Sequence, residues 1–106
     1  VGSLVLRERK LLSEDGVIVV SAVIDAVSGY NLSMPEIHSR GFVFVKDSTA
    51  LFDEAVNIVL QDLDKYSRSG RRDINALRNR IKENMLRFMY EKTKRSPVII
   101  PVIQEI

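Results

Sequence analysis

Residues 17–24 read VIVVSAVI, a run of eight residues in which six side chains are β-branched and only Ser21 is polar. β-branched residues favour extended backbone, so this run predicts a strand over Val17–Ile24. The residues on both alternating faces of the strand are apolar, whereas a strand with one solvated face carries polar residues at every second position. We therefore expect other parts of the protein to cover both faces of this strand.

Two helices are predicted downstream of it. Apolar residues recur at helical spacing between Leu51 and Tyr66, after an N-cap at Asp47–Ser48 and before the stop at residues 67–70 (SRSG). Asp73 can cap a second helix with a narrower apolar stripe, formed by Ile74, Leu77, Ile81, Met85 and Phe88.

Two further strands complete the prediction. Residues 41–46 (GFVFVK) indicate the second strand, and His38 is placed in the loop that enters it. Residues 97–106 (PVIIPVIQEI) indicate the third, and Pro101, which has no N–H to donate, favours the edge of the sheet or a bulge. The predicted fold class is α+β, with a small three-stranded sheet, two helices packed on one face, and the order β-β-α-α-β.

The sheet face that the helices leave open is the main functional expectation from the residues alone. An exposed apolar area of roughly 400–600 Å² exceeds what a monomer usually tolerates. At about 25 cal/mol/Å², its burial is worth on the order of 10 kcal/mol before the costs of association. We therefore predict that another protein surface covers this face, either a second copy or a further part of a longer chain, and the residues predicted for self-association are Val17, Val19, Val23 and Ile99. The alternative is that residues 2–12 fold back over this face.

Composition excludes several classes of protein. The 106 residues suffice for one hydrophobic core and are too few for two. The chain has no cysteine, which excludes disulfides, thiolate nucleophiles and iron–sulfur clusters, and its single histidine argues against a structural zinc site. No apolar run approaches the roughly 18 residues of a membrane helix, and no signal peptide opens the chain. We expect a cytoplasmic protein with no membrane partner.

Charge is unevenly distributed along the chain. Residues 65–95 carry eleven Lys and Arg against three acids, a net charge of +8, while the remainder carries five basic and eleven acidic residues, a net charge of −6. Such segregation can attract a polyanion to one side of a protein. The candidates for contact with a nucleic-acid phosphate backbone are Arg71, Arg72, Arg78, Lys92, Lys94 and Arg95. The alternatives are a solvated helix face and, near residue 94, cations that stabilise a helix C-terminus.

No catalytic constellation is present in the sequence. It contains no phosphate-binding glycine loop, no His–Glu metal helix and no nucleophile elbow. The 14 carboxylates are scattered, and those adjacent in sequence, such as Glu14 and Asp15, point in different directions on a regular element. We therefore predict no catalytic residue and no metal ligand in this chain.

Two long motifs carry a family resemblance. Residues 35–45 (PEIHSRGFVFV) and 88–103 (FMYEKTKRSPVIIPVI) resemble the C-terminal domain of bacterial ribonuclease J. Residues 4–16 (LVLRERKLLSEDG) resemble the connector by which that family leaves its catalytic core. The resemblance divides the chain into a connector, residues 1–15, and the C-terminal α/β domain, residues 16–106. Met34 and His38 depart from the residues that are common in the family.

The resemblance also carries functional implications. The family comprises cytoplasmic nucleases of the metallo-β-lactamase and β-CASP type, which degrade and mature RNA as 5′-to-3′ exonucleases and endonucleases, including ribosomal RNA 5′-end processing. Their two zinc ions are held by the catalytic core, so no cofactor is expected in this part. The implied role of the domain is to support dimer or tetramer assembly, with RNA and RNA degradosome components as partners of the longer enzyme.

Overall fold

A computed structural model of the chain describes residues 15–41 and 48–106. These residues form five regular elements that confirm the α+β class and the predicted order. The elements are β1 (Val17–Ile24), β2 (Glu36–Arg40), α1 (Ser48–Arg68), α2 (Ile74–Thr93) and β3 (Val98–Glu105). The first strand and both predicted helices thus form where the periodicity places them.

The three strands form one mixed sheet in the order β2-β1-β3. β1 pairs antiparallel with β2 and parallel with β3, and the parallel connection runs through both helices. The central position of β1 agrees with its composition, since it has apolar residues on both faces and, unlike β3, contains no proline. β3 lies at an edge, as Pro101 predicts.

The hydrophobic core lies between one face of this sheet and the two helices. β1 contributes four buried side chains, at most 2% exposed, from every second position: Ile18, Val20, Ala22 and Ile24. The helices bury most of their predicted apolar stripes against them: Leu51, Ala55, Val59 and Leu63 from α1, and Leu77, Ile81, Met85 and Phe88 from α2. Met89, outside the predicted stripe, is buried as well, and Ile74 is partly buried. The period of two in the strand and of about 3.6 in the helices places all these side chains on facing surfaces.

The ends of α2 are set by local hydrogen bonds. The Asp73 carboxylate accepts from the backbone N–H of Ala76 at 3.2 Å, which confirms the predicted N-cap. At the C-terminus Lys94 adopts the left-handed conformation, with φ 59°, and its N–H donates to the carbonyl of Tyr90. The N-cap predicted for α1 at Asp47–Ser48 involves residues whose side chains lie outside the described part of the chain.

The position of the second strand differs from the prediction. Residues 36–40, expected as a loop, form β2, and Gly41 follows it as a bend with φ +71°. The rest of the predicted strand, residues 42–46, lies outside the described residues. Pairing with β1 explains the difference, because tertiary hydrogen bonds hold Glu36–Arg40 extended although only Ile37 in this strand is apolar.

Candidate self-association surface

The sheet face opposite the helices is here called the open face. The register of the strands places on it the odd-numbered residues of β1 and the residues paired with them: Val17, Val19, Ser21 and Val23 of β1, Val98, Ile100, Val102 and Gln104 of β3, and Glu36, His38 and Arg40 of β2. Both described helices pack on the other face. The open face thus has an apolar centre on β1 and β3 and a polar row along β2.

Exposure confirms that this apolar centre is accessible within the described structure. Ile100 and Val102 expose 42% and 48% of their surface, and Val17, Val19 and Val23 are half-buried. Three of the four residues predicted for self-association therefore share one surface. A large contiguous apolar patch in contact with water is typical of an interaction site.

Ile99 does not belong to this surface. It is in register with Ile18, so it points toward the helices, and it is only 3% exposed. The prediction placed Ile99 with Val17 and Val19, and the structure corrects it: successive strand residues alternate between faces, and the parallel register with β1 assigns the odd position to the core. The neighbours of Ile99 in sequence, Val98 and Ile100, line the open face instead.

The polar row along β2 was missed in the sequence, because Glu36–Arg40 was expected to be a loop. Glu36, His38 and Arg40 alternate with Ile37 and Ser39, and this period of two was the signal available for a strand. Nε2 of His38 lies 3.3 Å from a carboxylate oxygen of Glu36, and both side chains are well exposed, 65% and 71%. Arg40 is exposed at the end of the row.

The structure separates the six predicted RNA-contact cations into two groups. Arg71 and Arg72 lie in the link between the helices, and Arg78 lies in the second turn of α2. Lys92, Lys94 and Arg95 lie at the far end of this helix, whose 20 residues span roughly 30 Å. The six side chains therefore form no single patch, and direct RNA contact by this chain stays a prediction.

Several of these cations also have partners within the protein. Nζ of Lys92 lies 3.6 Å from a carboxylate oxygen of Glu54 on α1. Nζ of Lys94 lies 5.4 Å from the centre of the Tyr90 ring, a cation–π distance. Such exposed contacts are worth at most about 1 kcal/mol each, so they do not prevent these side chains from rebinding elsewhere.

Arg72 is the exception, because its guanidinium joins two parts of the fold. Nε donates to the carbonyl of Val27 at 2.9 Å, Nη2 donates to the carbonyl of Ser28, and Nη1 donates to the carbonyl of Tyr66 at 3.1 Å. The charge also lies 5.3 Å from the centre of the Tyr66 ring. Arg72 thus fastens the turn after β1 to the end of α1, which is a structural role.

The turn that Arg72 holds is also stabilised from within. The Asp25 carboxylate accepts from the backbone N–H groups of Ser28 and Val27, at 2.8 and 2.9 Å, and these bonds hold the pKa of Asp25 below its usual value. Gly29 follows with φ +79°, and a Cβ at this position would lie 2.8 Å from Cζ of Arg72. A Cβ here would therefore displace the guanidinium, and the positive φ adds backbone strain for any other residue.

Replacing Gly29 with alanine is expected to lower the free energy of unfolding by about 1–2 kcal/mol more than replacing Gly70 with alanine does. Both glycines have positive φ, +79° and +73°, but nothing lies within 4 Å of a Cβ at Gly70. The difference, measured by urea denaturation, reports the displacement of Arg72 from its carbonyl partners. This difference in unfolding free energy should vanish in an Arg72→Ala background. Equal losses at Gly29 and Gly70 in the wild-type background would contradict the role of Arg72 in holding the turn.

A cleft between the helices collects further charged residues. It has a volume of about 340 Å³ and is lined by Lys65 and Tyr66 of α1, by Arg80 of α2 and by Arg71 between them. Two carboxylates, Asp62 and Asp73, line the same cleft. Sequence reasoning did not select Lys65 and Arg80, whose proximity arises only when the helices pack. Since acids offset most of the positive charge, the cleft is not a dedicated anion site.

Among the described residues, Asp62 is the one charged residue that is buried, with 3% of its surface exposed. The side-chain amide of Asn84 donates to both of its carboxylate oxygens, at 2.9 and 3.0 Å. This pair links the C-terminal half of α1 to the middle of α2. Burying a carboxylate is tolerable only because these hydrogen bonds replace water.

Residues 15–41 and 48–106 contain neither a metal-binding cluster nor a membrane-spanning helix. Within these ranges, no three or more His, Asp or Glu side chains are grouped so that they could hold a metal ion. No helix in the same ranges has the length and apolar character needed to cross a bilayer.

Comparison with known proteins supplies the family. A family model described as the ribonuclease J C-terminal domain matches residues 4–106. The chain is 37% identical over 106 residues to ribonuclease J2 of Bacillus subtilis, 38% to ribonuclease J 2 of Staphylococcus saprophyticus and 34% to ribonuclease J 2 of Streptococcus pyogenes. Each alignment covers 100% of this chain and 19% of the relative. The chain therefore spans about a fifth of the length of these curated relatives.

Proposed function

This chain belongs to the ribonuclease J family as its C-terminal domain, and on that premise we propose that it joins protomers of the nuclease. The open face of its sheet binds the open face of a second copy. The observation that carries this proposal is the row of accessible Val and Ile side chains on β1 and β3, opposite the helices.

The energetics of the open face support association. Its apolar centre consists of six β-branched side chains: Val17, Val19, Val23, Val98, Ile100 and Val102. Fully burying an exposed β-branched side chain is worth about 1.5–3 kcal/mol, and each of these six side chains, at most 48% exposed, contributes up to about half of that before the costs of ordering and association. Two such faces packed together follow the geometry of sheet-on-sheet interfaces, in which side chains of both inner faces interdigitate.

Catalysis is proposed for the longer protein of which this domain forms about a fifth. The relatives are named ribonucleases, and we infer that the whole protein hydrolyses RNA phosphodiester bonds in RNA decay and ribosomal RNA maturation, in the cytoplasm. The described residues do not fit the two zinc ions of that chemistry, because they contain no cluster of metal ligands. This domain therefore contributes assembly, and no step of the hydrolysis is assigned to its residues.

Replacing Val102 or Val19 with aspartate is expected to abolish face-to-face association, because a carboxylate would be buried among apolar side chains. Sedimentation equilibrium over a concentration series checks this. Leu86→Asp is the matched control: Leu86 is an exposed apolar residue on α2, 37% exposed and away from the open face, and its replacement should leave the mass unchanged.

Two results would contradict the proposal. One is a wild-type chain that stays monomeric throughout the series, which would indicate that residues 1–14 or the rest of the nuclease cover the open face. The other is unchanged association in variants whose circular dichroism shows a native fold. Val102, already 48% exposed, is the safer of the two positions for retaining the fold.

A paralogue in place of the second copy, and contact with degradosome components or RNA, remain hypotheses of lower rank. The charge segregation favours RNA contact, but the two separated cation groups and the acids in the interhelical cleft weaken it. The open face, by contrast, is one continuous surface.

A further inference from the structure

β2 is an edge strand with one long side unpaired. In the sheet order β2-β1-β3, β1 occupies one side of β2, and no described strand occupies the other. Glu36, His38, Ser39 and Arg40 are all exposed. An edge of this kind presents free backbone N–H and C=O groups, which can pair with another strand.

The opposite edge of the sheet is less able to pair. β3 contains Pro101 in the middle of its eight residues, and proline cannot donate a ladder hydrogen bond. β2 contains no proline between Glu36 and Arg40. Of the two edges in the described sheet, β2 is therefore the one suited to strand addition.

The side chains of β2 have opposite charge at the two ends of the strand. Glu36, His38 and Arg40 share the open face, with the acid at one end, the base at the other and the imidazole between them. If a second copy of β2 runs antiparallel with His38 opposite His38, each Glu36 faces Arg40 of the other copy. Directly opposed unlike charges stabilise an antiparallel pair, and like charges oppose it.

We propose that β2 is a second self-association surface, which pairs antiparallel with β2 of another copy about a two-fold axis at His38. The contact is isologous, as a two-fold contact between identical chains requires. Its occupant is a second copy of this chain because the charge pattern is complementary to itself.

The same charges select this register over its neighbours. A shift that brings Glu36 opposite Glu36, or Arg40 opposite Arg40, places like charges together. Intermediate shifts place Glu36 or Arg40 opposite His38 and lose both Glu–Arg pairs. The central register alone forms two such pairs, so the residues that discourage random edge pairing permit one specific arrangement.

Edge pairing is compatible with the face-to-face contact and independent of it. Two sheets joined at β2 form six continuous strands, with both open faces on the same side and the helices of both copies on the other. The apolar residues of β1 and β3 remain accessible in this arrangement. The proposal therefore stands or falls separately from the function proposed above.

Charge exchange tests the proposal on the 106-residue chain. Glu36→Arg places Arg opposite Arg40 of the second copy, and Arg40→Glu places Glu opposite Glu36. We expect either variant alone to weaken edge pairing at least about tenfold in dissociation constant at low ionic strength. An equimolar mixture of the two variants should associate again, because the chain with two acids then faces the chain with two bases.

The measurement is fluorescence energy transfer between differently labelled chains, repeated in a Val102→Asp background that removes face-to-face contact. Glu36→Arg combined with Arg40→Glu should restore association in a single chain, and Gln104→Arg, on the open face of β3, is the control for added charge. The edge contact is supported if each single variant associates weakly while the mixture and the double variant associate as the wild-type chain does. The edge contact is overturned if all variants associate equally, or if the mixture associates as weakly as its components. Either conclusion holds regardless of how Val102→Asp affects the face-to-face contact.

Discussion

Replacing Ile99 with alanine is expected to lower the free energy of unfolding by about 2–5 kcal/mol, whereas the same change at Ile100 should cost less than about 1 kcal/mol. The two residues are neighbours on β3 and have the same side chain. Ile99 is 3% exposed and packs against the helices, while Ile100 is 42% exposed on the open face. Truncation at Ile99 leaves a cavity that the surrounding core closes only in part.

Urea denaturation measures both losses of unfolding free energy, and sedimentation equilibrium shows whether either substitution also weakens self-association. Ile100→Ala should weaken self-association while leaving the fold nearly as stable as before, because it removes apolar area from the proposed interface. Ile99→Ala, where still folded, should associate normally. Equal stability losses at both positions would contradict the register of β3 and with it the definition of the open face.

Replacing Asn84 with leucine is expected to cost about 3 kcal/mol at neutral pH, because it leaves the buried Asp62 carboxylate without its hydrogen-bond donors. Both oxygens of Asp62 accept from the one amide of Asn84. Asp62→Leu alone should cost less, since the group it leaves without a partner is neutral and half-buried. Replacing both residues together should be close to neutral, since neither an unpaired donor nor an unpaired acceptor remains.

A double-mutant cycle measured by urea denaturation gives the coupling between the two side chains. Asn79→Leu is the matched control, since Asn79 is an exposed asparagine on the same helix. Its replacement should change the stability by less than about 0.5 kcal/mol. Additive costs at Asp62 and Asn84 would show that the pair does not link α1 to α2.

The helices, two of the strands and the core were predictable because their patterns are local. VIVVSAVI at residues 17–24 forms β1 over its whole length, and the stripe from Ile74 to Phe88 lies on the buried side of α2. Asp73 caps α2 through its own carboxylate, an interaction that spans three residues. Side-chain period and capping chemistry depend on neighbours in sequence, so they can be interpreted without the fold.

The candidate surface was predictable only in part, because strand pairing assigns its residues. That one sheet face stays apolar and uncovered by the helices follows from the number of elements and their composition. Which isoleucine of β3 lies on that face depends on the parallel register with β1, which involves residues about 80 positions apart. A shift of one residue would exchange Ile99 and Ile100.

By itself the amino-acid sequence determined the element types, the core stripes, the absence of cysteine chemistry and the family. The tertiary structure decided the position of β2, the removal of Ile99 from the open face, and the use of Arg72 as a clamp rather than a free cation. It also placed Glu36, His38 and Arg40 in one row at an unpaired edge. The physical reason is that pairing and packing energies arise between residues distant in sequence, and they override weak local preference.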